Sequence, residues 1–135
     1  MTPAILYRVS AVLLVLYAAG HTVGFRQVDP RWGVDALVTG LRTTTFVVQG
    51  ARRTYWDFYV GFGFFVTVLL LFAAVLAWQL GALPPATLAT MPIIRWGFAI
   101  AFLVATITTW RYFFAAPVVF SILITACLLF AAWRA

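Results

Sequence analysis

Four apolar runs, each about as long as a bilayer is thick, divide this sequence and leave room for few other architectures. They cover residues 4–25, 58–80, 88–111 and 116–134. A spanning helix needs about 20 apolar residues to cross ~30 Å of hydrocarbon. The second and fourth runs carry no charge in their interiors. The first holds Arg8 near its start, within snorkelling reach of the interface. The third holds Arg95, so either its helix begins near Leu88 with Arg95 inside, or the bilayer thins there. Tryptophan prefers the membrane interface, and Trp56, Trp78, Trp96, Trp110 and Trp133 all fall at run ends.

Composition removes the soluble alternative. Of 135 residues 65% are hydrophobic and 9% charged, where a soluble domain carries about 25% charged. The expected fold is therefore all-α, an integral membrane four-helix bundle in a single transmembrane domain. The first run has some features of a secretory signal, with Arg8, an apolar stretch and the small residues Ala18-Ala19-Gly20. Because it extends from Ala4 through Phe25, it is expected to stay as a span.

The nine cations are all arginine, and the three acids are Asp29, Asp35 and Asp57. A net charge of +6 could suggest nucleic acid, but such binding needs a solvated basic face. Here the arginines sit at the edges of apolar runs, where anionic headgroups are the natural partner. The expected partners are thus membrane lipids, with a second copy or another membrane protein also expected, and no nucleic acid. Cys127 is the sole cysteine and His21 the sole histidine. That excludes an internal disulfide and an intrachain bis-His haem site. No metal ligand set, no catalytic signature and no cofactor are implied.

The connections differ in kind. Gly81-Ala82-Leu83-Pro84-Pro85 is an uncharged turn with proline suited to open a helix. Residues 111–117 form a tight hairpin. The long connection begins with a turn, Asp29-Pro30-Arg31-Trp32-Gly33. After it, Val34, Leu37, Val38, Leu41, Thr45 and Val48 keep helical spacing, which predicts an amphipathic interfacial helix over 33–50. The β-branched run Thr43-Thr44-Thr45 argues against that helix. The side bearing this connection, the loop side, holds Arg26, Arg31, Arg42, Arg52, Arg53 and Arg111, against Arg8, Arg95 and Arg134 on the termini side. The positive-inside rule then expects the loop side in the cytoplasm, for a multi-pass protein expected in a cell inner membrane.

Each run carries small or polar residues at helical spacing: Ser10, Tyr17, His21 and Gly24; Gly63, Thr67 and Ala74; Gly97, Ala101, Ala105, Thr108 and Tyr112; Ser121, Thr125 and Ala132. Such stripes are expected to form the bundle seam, since small residues let membrane helices approach.

The most specific constellation lies at the loop-side end. His21, Asp57 and Arg111 fall at similar depth in an up-down bundle, with Tyr17, Trp56 and Tyr59 around them. A carboxylate beside a membrane is costly unless paired, so Asp57 is expected to contact Arg111, His21, Arg52 or Arg53. These six residues are the candidate ligand-binding set. Arg8 and Arg95 have no side-chain acid near them in sequence and are candidates for an anionic lipid or a partner. A small multidrug exporter would need a carboxylate deep in a span, which this chain lacks. A quinone-type site would need hydrogen-bond donors at an apolar cleft, and His21, Tyr17, Tyr59 and Arg111 are the residues available.

Gly20-His21-Thr22-Val23-Gly24-Phe25 ending the first run, paired with Tyr55-Trp56-Asp57-Phe58-Tyr59-Val60-Gly61-Phe62-Gly63 opening the second, resembles a family of small bacterial four-helix integral membrane proteins of uncharacterised function. The outline is also similar to DoxX-like proteins in its four short spans. The resemblance implies no activity, because a shared fold does not carry one. The function expected is that of a small polytopic membrane protein, non-enzymatic, either an accessory or a binder of a lipid-like or isoprenoid molecule. The alternative is a small membrane enzyme or redox accessory subunit with a quinone-type site at the loop-side end.

Overall fold

A computed structural model describes residues 1–135. Helix α1 spans Pro3–Gly24. Thr2 starts it by accepting the Ile5 N–H at 3.4 Å, and Pro3 occupies the first turn, where no N–H is needed. A 3₁₀ turn at Pro30–Trp32 follows, closed by Gly33 at φ 66°. Helix α2, Asp35–Thr43, ends at Thr44, which turns to extended backbone. Strands β1, Thr45–Val48, and β2, Ala51–Thr54, pair antiparallel with Thr45 opposite Thr54 and Val48 opposite Ala51. Helices α3 (Tyr55–Leu80), α4 (Pro85–Ala89), α5 (Pro92–Tyr112) and α6 (Ala115–Arg134) complete the chain.

Helices α1, α3, α5 and α6 are long and apolar enough to cross a membrane, as in a multi-pass membrane protein. Two expectations about element boundaries are corrected. The helix predicted over 33–50 stops at Thr43, and a β-hairpin takes over. Its cause is local: β-branched Thr43-Thr44-Thr45 and Val47-Val48 favour strand, and Gln49-Gly50 form the turn. Both turn residues have positive φ, 48° and 80°, as a type I′ hairpin requires. The second correction concerns Leu88. It does not begin the third span but sits in α4, buried in the core, while Thr90-Met91 break the helix before Pro92 restarts it as α5. Arg95 thereby falls in the opening turns of α5.

Helix α1 packs against both α3 and α6, and α5 packs on α6. Helices α3 and α5 make no comparable contact, so the assembly stays open between them. The core gathers in the termini half, around Tyr7, Leu14, Ala77, Leu88, Ala99 and Leu128. On α5 the fully buried positions end at Ala99, although the helix continues to Tyr112. Gly63, Ala74, Ser121, Thr125 and Ala132 of the expected seam stripes are buried. The α5 stripe is corrected: Gly97, Ala101, Thr108 and Tyr112 are exposed. Instead Arg95, Phe98 and Ala99 turn inward, and Thr106 and Thr109 meet Thr125 and Ser121 through hydroxyl contacts of 2.8 Å each. A helix with one close neighbour has one buried face; Arg95, Phe98, Ala99 and the hydroxyls occupy it, while Gly97 and Ala101 of the expected stripe face out.

Candidate functional site

Asp57 is committed to the backbone. Four N–H groups at a helix N-terminus lack partners within the helix. Thr54 Oγ1 accepts the Asp57 N–H at 3.1 Å, and Asp57 Oδ2 accepts the Thr54 N–H at 2.8 Å, a reciprocal capping box. The other carboxylate oxygen has no acceptor role within the chain. The ion pair expected between Asp57 and His21 or an arginine does not form; the chain's salt bridge joins Arg31 to Asp29.

His21 is likewise turned to backbone. Its Nε2 lies 3.0 Å from the Gly63 carbonyl oxygen, which Thr67 Oγ1 also approaches at 3.2 Å. Donation to that oxygen leaves Nδ1 free. The imidazole stacks on Phe25 at 5.1 Å, and Phe25 fills the space a side chain at Gly63 would need. Thr22 continues the α1–α3 seam by meeting Thr67 at 2.9 Å. Tyr59 donates to the Phe25 carbonyl at 2.6 Å, which satisfies an acceptor left over at the end of α1.

The remaining candidates are dispersed. Tyr17 stacks on Phe120 of α6 at 5.6 Å. Trp56 carries the Arg42 guanidinium 4.2 Å above its ring and packs on Tyr59. Arg111 is exposed, over its neighbour Tyr112. It ends α5, whereas Asp57 opens α3, and those two helices are not in close contact. His21 and Tyr59 therefore meet at the α1–α3 junction, Asp57 caps α3 on its outer face, and Arg111 stands apart.

Two groups missed at the sequence level shape this end. Thr54 is one; the spacing Thr54-x-x-Asp57 is a helix-start signature. The other is a groove on the outer face of α3, about 370 Å³, lined by Arg53, Asp57, Phe58, Gly61, Phe62 and Phe65. Residues 57, 58, 61, 62 and 65 recur at helical spacing, so that face was legible; Arg53 joins it only because the hairpin folds. Gly61 leaves open space where a side chain would stand.

At the termini side the arginines part company. Arg95 is 7% exposed, and its Nη1 donates to the Ala132 carbonyl at 3.2 Å, near the end of α6. A helix C-terminus carries orphan carbonyls and partial negative charge, so it serves as Arg95's counter-group. Arg134 donates to the Met1 carbonyl. Arg8 is exposed, its guanidinium 5.5 Å over Trp78, with no acceptor in the protein.

Chemically, the groove on α3 offers one cation, Arg53, and one half-used carboxylate, Asp57, above an aromatic trough. It brings together no nucleophile with a base and no cluster of metal-ligating side chains. Among known proteins no family model, no curated sequence and no solved structure matches this chain.

Proposed function

We propose that this chain is a non-enzymatic accessory protein of a bacterial inner membrane that holds a lipid-like or isoprenoid amphiphile against the loop-side end of α3. The observation that carries this reading is the groove itself: Arg53 and Asp57 at its head, Phe58, Gly61, Phe62 and Phe65 along its walls. Arg53 supplies donors for a phosphate, and the free oxygen of Asp57 accepts from a hydroxyl or ammonium. An apolar tail gains no hydrophobic free energy by moving from lipid to groove. Selectivity then rests on the headgroup and on the fit of the tail beside Gly61. The engaged state of His21, Asp57 and Tyr59 also supports binding over chemistry, because each is tied to backbone. In this reading α2 lies at the interface on the cytoplasmic side.

Photocrosslinking tests it. A photoactivatable polyisoprenyl phosphate, added to protein in neutral detergent, is expected to mark peptides containing Phe62 and Phe65. Gly61→Leu, which fills the trough and leaves every charge in place, is expected to abolish that mark. Crosslinks spread evenly over α3 and α5, and unchanged by Gly61→Leu, would sink the reading.

A further inference from the structure

A second groove opens at the opposite end of the molecule, on the outer seam of α1 and α3. It is a shallow, open groove of about 400 Å³, lined by Ile5, Arg8, Val9, Val12, Leu13 and Trp78. We infer that it holds one anionic phospholipid of the termini-side leaflet, its phosphate on Arg8 and an acyl chain along Val9, Val12 and Leu13. This goes beyond the loop-side site and does not depend on it.

Charge identifies the occupant. The three side-chain carboxylates of the chain, Asp29, Asp35 and Asp57, all belong to the loop side. Arg95 donates Nη1 to the Ala132 carbonyl, with its Nε unpartnered in the core, and Arg134 donates to the Met1 carbonyl. Arg8 alone among the termini-side arginines has neither hydrogen bond nor ion pair. Its stem runs close to Gly81, where an added Cβ would meet Arg8 Cγ at 3.1 Å. Side chains on a helix tilt towards its N-terminus, so this stem leads the guanidinium back towards the headgroup level. The guanidinium lies over Trp78, 5.5 Å from the ring centroid, and makes no hydrogen bond in the protein, so its N–H fork is available to a phosphate.

The walls identify the rest of the ligand. Five of the six lining residues are apolar, so a free phosphate ion would leave most of the groove unused. Ile5, Val9 and Val12 follow the i, i+4, i+7 rule and line one stripe along the axis of α1. An acyl chain standing along the bilayer normal matches that stripe. Trp78 closes the head from the α3 side, at the depth where indoles prefer to lie.

Native mass spectrometry of protein released from nanodiscs made of equal phosphatidylglycerol and phosphatidylcholine tests the inference. The protein is expected to retain one phosphatidylglycerol in preference to phosphatidylcholine. Arg8→Gln should cut that retention about tenfold, as loss of one charge-assisted contact does. Val12→Trp keeps the charge but fills the groove, and should cut retention as well. Arg134→Gln should leave it unchanged. Equal retention of the two lipids would overturn the inference. So would retention that survives both Arg8→Gln and Val12→Trp, or a loss that Arg134→Gln reproduces, since that marks diffuse surface charge.

Discussion

A guanidinium cannot shed its charge at physiological pH, so a buried arginine has to find acceptors. Arg95 finds one in the Ala132 carbonyl, where α6 runs out of N–H donors. Its Nε has no partner, and neither does Tyr7 Oη, which lies in the same termini-side core. Tyr7 is fully buried. An unsatisfied buried hydroxyl costs about 1–3 kcal/mol, while its ring contributes packing alone. Tyr7→Phe removes the cost and keeps the ring. The expected result is a melting temperature in detergent equal to or above that of the parent protein. A drop of several degrees would mean that the hydroxyl has a partner after all. The sequence carried Arg95's lack of a carboxylate plainly, but not its solution. A helix terminus acts as a counter-charge only once the helices are placed, and no side-chain pattern announces it.

At the scale of elements, the loop-side connection is organised by its caps and turns. Thr54 and Asp57 exchange hydrogen bonds across the start of α3, so each is worth little without the other. Thr54→Ala and Asp57→Ala are each expected to cost about 1 kcal/mol, as loss of a cap does. The double variant should cost less than the sum, because the first change already dissolves the pair. Additive losses in a denaturation series would show that Asp57 has a separate stabilising role. Upstream, the Arg31 guanidinium, and then the Arg31 backbone N–H, hold the Asp29 carboxyl below its ordinary value. A lowered native value means that the contribution is present above the usual carboxylate range and is lost as pH falls through the lowered one. Both groups meet solvent, so the effect stays local. An NMR titration of Asp29 should move towards the ordinary value in Arg31→Ala; an unchanged midpoint would rule the pairing out. The four apolar runs were readable because hydropathy marks spans directly. The hairpin was obscured because Val34 to Val48 satisfies a helical period by chance, while the opposing signals, three threonines and Gln49-Gly50, are short. The α5 stripe misled for a related reason: small residues permit close approach but do not require it.

At the scale of the molecule, α3 and α5 stand on either side of an open seam, and hydropathy could not have foretold it. Lipid covers an apolar helix as well as a neighbouring helix does. Pairing is therefore decided by particular contacts, such as Thr22 with Thr67 and Thr106 with Thr125, and not by the width of an apolar face. The charge balance is six arginines on the loop side against three on the termini side. The positive-inside rule counts cations near the span ends, so this balance predicts a cytoplasmic loop side. Cysteine accessibility in intact bacterial spheroplasts tests this orientation. Cys127 lies within α6, and a Cys127→Ala background removes its signal. In that background Gln49→Cys puts a thiol on the hairpin tip, and Ala86→Cys puts one on exposed α4. A membrane-impermeant maleimide is expected to label the α4 thiol in intact spheroplasts, and the hairpin thiol only after permeabilisation. The reverse pattern would invert the protein in the membrane. It would also exchange the leaflets to which the two grooves belong, moving the Arg8 groove to the cytoplasmic leaflet, where anionic lipid is attracted to basic side chains.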